Sequence, residues 1–377
     1  MKNINHWILV ALLSCCYFSC KKNQTNMMTV IHPDGSITKC LAQQVTDDSF
    51  FLKDSLKQHN SFPVEIDSSW SVEWKYGKGE FRKDFPLTRQ QLDALKKNDS
   101  IEPKNNFKVI LSRNFLSAED MATHFRLKNS HPWHSLKIGY KLERKFRWFY
   151  TYYVYEEVYP KLKIPFDYPI SEFMTQKEAD YWFSGTPDLI RGMSGMETRE
   201  YLGSLENKYN DWLLKNQRSN EFEVIILNYD RIAHPPVAKE KLKLLKDSVF
   251  TSKWMKDEQK DIEDILDNYF ETKEFSLLSK KISSSGNDMK DSIFQNRYGA
   301  LLESFDYKLC MPGELLNTNS AQISNDTLSW NLTGFKFLTQ NYVIYAESRT
   351  RNIWAFIVTG LIIVGAFVSF LIKKKKK

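Results

Sequence analysis

From Ile138 to Val158, hydrophobic side chains recur at alternate positions: Ile138, Tyr140, Leu142, Phe146, Trp148, Tyr150, Tyr152, Val154 and Val158, with Arg144 and Glu156 as exceptions. A period of two is that of a β-strand. The intervening positions begin with charge at Lys137, Lys141, Glu143, Lys145 and Arg147, then turn aromatic at Phe149, Tyr153, Tyr155 and Tyr159. The pattern predicts one long central strand, open to water in its first half and covered on both faces in its second by the helices that follow. At ~3.3 Å per residue such a strand outreaches a domain of this size, so it must bend, bulge or run past its sheet. Tyrosine offers an apolar ring and a polar tip. Phe149, Tyr153, Tyr155 and Tyr159 are therefore also a candidate surface for a lipid, glycan or peptide.

The rest of the chain before the C-terminal apolar run divides into three. Met28 to Gln44 reads as a hairpin around Pro33-Asp34-Gly35-Ser36, and Ser71 to Tyr76 as a short strand. Thr88-Arg89-Gln90-Gln91 and Ser117-Ala118-Glu119-Asp120 mark helix starts. Residues 171–303 are helical in pattern: Thr175-Gln176-Lys177-Glu178 is a capping box, and Tyr201, Leu202, Leu205, Tyr209, Trp212 and Leu213 recur at helical spacing. Glu221 to Tyr229 fits a strand or a continued helix. Alternation returns at Asp306–Met311, Thr327–Leu332 and Tyr342–Glu347, predicting a meander. The fold class is α+β: an antiparallel sheet with a central helical insertion, followed by one C-terminal transmembrane helix.

Ile353 to Ile372 is a run of 20 residues without a charge, the length that crosses ~30 Å of hydrocarbon. Trp354 lies at its start, and five lysines, Lys373–Lys377, follow it, so the positive-inside bias puts the tail in the cytoplasm. The opening MKNINHWILVALLSCCYFS has the layout of an export signal. Ser19-Cys20-Lys21-Lys22 resembles the lipobox of bacterial lipoproteins, which implies cleavage before Cys20 and its acylation; Leu12-Leu13-Ser14-Cys15 offers Cys15 as the alternative. The segments expected are 1–19 signal, 20–170 mixed strand and helix, 171–303 helical insertion, 304–352 β-meander, 353–372 span and 373–377 tail. The bulk of the chain is expected in the periplasm or outside the cell, held to the inner (plasma) membrane.

Charge and cysteines narrow the picture further. Of the net charge of +7, Lys2 and Lys373–Lys377 supply six, leaving +1 over Cys20–Ile372. A near-neutral exported part lacks the basic footprint of a nucleic-acid binder. Cys40 and Cys310 form a candidate disulfide in an oxidising compartment, with two separate buried thiols as the alternative.

Met311-Pro312-Gly313, an Asn-containing turn, Thr327 to Trp330 and Ala346-Glu347-Ser348 before a C-terminal span resemble the end of LppM-like envelope lipoproteins. The lipobox, opening hairpin and Lys-rich tail are similar to lipoproteins of Bacteroidota. The resemblance covers the two ends and implies an α+β envelope domain with a suspected lipid or glycolipid partner.

Candidate chemistry is sparse. His124, His131 and His134 fall within eleven residues, but Pro132 keeps a regular helix from presenting the pair at 131 and 134 on one face. Gly192-Met193-Ser194-Gly195-Met196 lacks the final glycine of a nucleophile elbow. Asp230 and His234 are four apart but precede Pro235 and Pro236, and adjacent Glu156 and Glu157 point to opposite faces of a strand. The expectation is a membrane-tethered, non-enzymatic envelope protein without cofactor that binds a lipid, glycan or envelope protein. The alternative is an exported metal-dependent hydrolase centred on those histidines.

Overall fold

The computed structural model describes residues 25–45, 48–52, 61–76, 79–97, 107–256, 260–284, 297–324 and 327–375; residues 1–19, expected to be a signal, and the lipidation candidates Cys15 and Cys20 lie outside the described residues. The chain is α+β and forms two compact units, Met1–Pro160 with Ser304–Thr333 and Asn341–Lys377, and Lys161–Glu303 with Gly334–Gln340.

The first unit is built on two sheets. Strands β1 (Asn26–Ile31) and β2 (Ile37–Val45) form the expected hairpin, whose turn closes because Asp34 Oδ1 accepts from the Ser36 amide at 2.9 Å and Gly35 takes φ +97°. With β3 (Ser71–Tyr76), β4 (Phe107–Phe115), β7 (Ser304–Cys310), β9 (Gln322–Ser324) and β10 (Thr327–Thr333) they make a seven-stranded sheet in the order β3-β4-β2-β1-β7-β10-β9, antiparallel except where β1 runs alongside β7. Strands β5 (Gly139–Phe146), β6 (Tyr150–Tyr159), β8 (Glu314–Thr318) and β11 (Tyr342–Arg351) make a four-stranded antiparallel sheet in the order β5-β6-β11-β8.

Two expectations are corrected here. The 138–158 stretch is not one long strand but the hairpin β5–β6, reversing at Arg147–Phe149, where the Arg147 amide donates to the Tyr150 carbonyl at 2.7 Å. The turn shifts the phase of alternation. On β6 the odd positions Thr151, Tyr153, Tyr155, Glu157 and Tyr159 are buried, and β5 is a largely exposed edge. The C-terminal strands are likewise not one meander, since β7, β9 and β10 join the large sheet while β8 and β11 join the small one. Gly313 makes the transfer from β7 to β8 at φ +76°, so close to β11 that an added Cβ would lie 2.3 Å from the Arg349 carbonyl oxygen.

The inner faces of the two sheets meet across a buried ion pair. Lys39 on β2 and Glu157 on β6 are both fully buried, with Nζ 3.1 Å from Oε1 and 3.2 Å from Oε2. The same carboxylate accepts from the hydroxyls of Tyr155 (2.9 Å), Tyr159 (2.6 Å) and Tyr307 of β7 (2.5 Å). The Lys39 ammonium also lies over the rings of Tyr307, Phe125 and Tyr140, 4.8 to 5.6 Å from their centroids. Both charges are thus surrounded by partners, the condition under which a buried pair is tolerated. Burial pulls the Lys39 ammonium below its ordinary value, with Glu157 opposing the shift. Burial first, and Glu157 second, push the Tyr140, Tyr155, Tyr159 and Tyr307 phenols well above theirs.

The second unit is helical; it begins at Lys161, ten residues before the expected start of the insertion at 171, and also takes in Gly334–Gln340. Labelling the helices in chain order, α1 is Arg89–Lys97 and α2 is Ala118–His124 in the first unit, and α3 (Gln176–Ser184) and α4 (Gly195–Leu227) open the second. Thr88 and Ser117 cap α1 and α2 as read from sequence, and the Thr175–Glu178 capping box opens α3. Glu221 to Leu227 continues α4, which buries Leu205 and Trp212. Its last turns join Leu242 of α5 (Lys239–Leu244), Val249 of α6 (Lys246–Phe250), Ile262 and Ile265 of α7 (Ile262–Phe270) and Phe275 of α8 (Glu274–Ser284) in an apolar core. Strand β11 leads into α9 (Ile353–Lys375), of which Ile353–Ile372 is long and apolar enough to cross a membrane and only 6% buried, consistent with a single C-terminal span.

Two predictions follow from the first unit. The four phenols keep their protons in the folded state and lose them more readily when unfolded, so their contribution to stability is present below about pH 10 and is lost as pH rises above it. Lys39 acts oppositely, because its folded value is depressed, but four phenols outweigh one amine. Tyrosinate absorbance in an alkaline titration should therefore show a late, cooperative step coincident with loss of near-ultraviolet circular dichroism; smooth titration of all tyrosines in folded protein would contradict the packing. Separately, Gly313→Ala should destabilise the sandwich by roughly 2 kcal/mol or more in urea unfolding, from a positive φ compounded by a backbone clash; an unchanged midpoint would contradict it.

Candidate functional site

The aromatic positions singled out from sequence separate into two groups. Tyr153, Tyr155 and Tyr159 are 0–1% exposed, so they present no ligand surface. Their cover is the inner face of the seven-stranded sheet, not a helical roof: the Tyr153 hydroxyl donates to the Pro33 carbonyl at 2.8 Å, and the other two donate to Glu157 beside Lys39. Phe149 stands apart at the hairpin turn, 36% exposed, its ring 4.7 Å from that of Phe356 on α9.

The histidines do not converge. His124 Nδ1 lies 2.7 Å from Asp120 Oδ1 on the same helix. His131 stacks on Phe305, ring centroids 5.6 Å apart, and its Nδ1 accepts from the Trp133 amide at 3.1 Å. His134 Nδ1 lies 2.9 Å from the His131 carbonyl oxygen. Among the described residues no three His, Cys, Asp or Glu side chains group as metal ligands. Ser194 is the N-cap of α4, exchanging hydrogen bonds with Glu197, so the elbow-like segment is a helix start. Asp230 pairs with Lys239 at 3.1 Å, while the His234 amide donates to Glu274. Glu156 and Glu157 face opposite ways, as a strand requires.

Cys40 and Cys310 are free thiols, which corrects the candidate disulfide. Cys40 on β2 is opposite Met28 of β1, and Cys310 on β7 is opposite Val30 of the same strand. One whole strand therefore stands between them, and they are offset by two residues along it, a separation of more than ~10 Å against the ~7 Å limit for a bridge. Burial raises the Cys40 thiol above its usual value, keeping it protonated.

A concave site does form beside the histidines. A pocket of about 510 Å³ opens between α2, the loop 125–138 and the start of β5. The loop is built of successive turns, with the His134 amide donating to His131 and the Leu136 amide to Trp133. It is anchored by fully buried Trp133, whose ring meets Phe305 edge-on at 5.2 Å, and by a bridge from Leu127 to Val64. Apolar Phe125, Leu127, Leu136, Ile138 and the ring of Tyr140 line the pocket, with exposed Arg126, His134 and Lys137 around them and no carboxylate in the lining. Phe125 and Tyr140 form the partition between this pocket and Lys39. The site therefore offers an apolar interior with a cationic edge, suited to an apolar molecule bearing a negative group. Among the described contacts no nucleophile in the lining, which includes Ser135 beside His134, is hydrogen-bonded to a base.

Sequence reading singled out His134 only as a metal candidate and missed the pocket, because its walls come from a helix end, a loop and a strand edge that share no period. The buried pair was also missed, though it left a signal. Lys39 is in phase with Ile37, Leu41 and Val45, and Glu157 with Tyr153, Tyr155 and Tyr159, so each is a charge on an inward face. Neither a protein-family model, nor a curated protein, nor a solved structure matches this chain.

Proposed function

We propose that the protein is a membrane-tethered, non-enzymatic component of a bacterial envelope that binds a lipid, glycan or partner protein through its exported units. On this reading α9 spans the inner membrane with its lysines in the cytoplasm, both folded units lie on the opposite side, and Cys20, or alternatively Cys15, carries an N-terminal lipid. The observation that carries the binding function is the pocket of Phe125, Leu127, Leu136, Ile138 and Tyr140 edged by Arg126, His134 and Lys137. That composition favours an amphiphile with an anionic group over a neutral glycan, since the apolar wall and the cations recognise different ends of one molecule. The hydrolase alternative draws no support from the geometry, because each of its three imidazoles is turned to a separate partner.

Native mass spectrometry of the full chain extracted from its own membrane should find an anionic, lipid-like mass retained. Arg126→Ala combined with Lys137→Ala should lower that retention about tenfold, the loss of charge-assisted hydrogen bonds. A chain that arrives bare, with nothing captured from membranes, would contradict the binding reading.

A further inference from the structure

The hairpin β5–β6 carries its exposed aromatic residues at one place, the turn. Phe146 is 57% exposed, Trp148 44% and Phe149 36%, whereas the inward tyrosines of β6 are closed off. This turn is fastened to the entry of α9. Asn352 Nδ2 donates to the Arg147 carbonyl at 2.7 Å, its backbone amide donates to the Phe149 carbonyl at 2.9 Å, and its Oδ1 accepts from Thr151 at 3.0 Å. The Phe146 ring is parallel to that of Trp354, Trp148 meets Trp354 edge-on at 5.1 Å, and Phe149 lies against Phe356.

The telling contact is deeper. The Trp148 indole N–H donates to Thr359 Oγ1 at 2.8 Å. Thr359 is six residues past Ile353, so at ~1.5 Å per residue it lies about 9 Å along the helix from the start of the apolar run. That is the depth of an interfacial insertion, ~5–10 Å. Where water is scarce an indole N–H and a threonine hydroxyl satisfy each other, which is the pairing observed. Just above the turn the hairpin is charged. Glu143 bridges Lys141 (2.7 Å) and Lys145 (2.6 Å), and these lysines hold its carboxyl down to about 2, a charged ladder ending one residue before Phe146. Arg147 within the turn and Arg351 are level with Tyr150 at the entry of α9, and Arg144, opposite Tyr153, lies further up the strand; their long side chains can reach the phosphates of a bilayer.

From these contacts we infer that the turn Phe146–Phe149 is a second membrane element, inserted beside α9 into the leaflet facing the folded units and occupied on its outer side by lipid. The inference rests on α9 being a span, which continues the same apolar surface. Inserted this way, the turn fixes the depth and tilt of the two-sheet unit over the bilayer, which one helix joined by a single residue would leave free.

The test uses the full chain in vesicles of three parts phosphatidylcholine to one part phosphatidylglycerol, with brominated lipids as quenchers. In a Trp354→Phe background, the emission lost on adding Trp148→Phe reports Trp148 alone; a Phe367→Trp variant reports the span. The Trp148 emission should be blue-shifted, quenched at least about twofold by bromines placed near the headgroup end of the chains, and insensitive to aqueous iodide. If the Phe367→Trp signal is lipid-quenched but Trp148 is reached by iodide, or is shielded from both quenchers as a protein-covered surface would be, the insertion is overturned and the span stands. If neither signal is lipid-quenched, the span reading and the insertion fall together.

Discussion

A single buried carboxylate organises the first unit. Glu157 is the only residue through which Lys39 of β2, Tyr307 of β7 and Tyr155 and Tyr159 of its own strand are all joined among the described contacts. Strand β2 is third in the seven-stranded sheet and β6 second in the four-stranded one, so the interaction ties interior strands of both sheets. Removing two charges from water costs several kcal/mol each, and the attraction returns this only with good geometry and satisfied lone pairs. Here three phenols and the ammonium supply that satisfaction. The consequence is specificity of register, since a slip of β6 by one residue would bring Glu156 inward and carry Glu157 to water.

That register reaches the apolar C-terminal helix. Strand β6 pairs with β11 over ten consecutive residues, from Tyr150 opposite Arg351 to Tyr159 opposite Tyr342. Strand β11 continues into α9 after Asn352, which grips the β5–β6 turn. The phase set by Glu157 at one end of β6 therefore also sets which residues stand at the turn at the other, and puts Trp148 beside Thr359. The same charge pair bears on the pocket, because Phe125 and Tyr140 serve both as its wall and as the rings beneath which Lys39 sits.

Features governed by local rules were legible in the sequence. The β1–β2 turn, the caps at Thr88, Ser117 and Thr175 and the C-terminal apolar helix each depend on a few adjacent residues, and each is found as read. The aromatic stretch misled because alternation runs through Arg147 to Phe149 without interruption, and nothing there is a glycine, proline or asparagine that would announce a reversal. The strands after Phe305 misled for a related reason: periodicity gives a strand its faces but not its sheet, and the move from β7 to β8 is made at Pro312-Gly313 by a close backbone approach to β11. The disulfide between Cys40 and Cys310 failed on strand order, which pairing decides and the spacing of two cysteines does not. The pocket was illegible because its residues belong to three elements whose junction exists only in the folded chain.

The claim that the Lys39–Glu157 interaction holds the two sheets in register is tested most directly by a double-mutant cycle in the full chain, using urea unfolding of Lys39→Met, Glu157→Gln and the pair together. Each single substitution strands a buried partner and should cost roughly 3–5 kcal/mol, while the double variant should cost at least ~2 kcal/mol less than their sum. Single-variant costs that simply add, within about 0.5 kcal/mol, would show that the two side chains do not act on each other and would contradict the account.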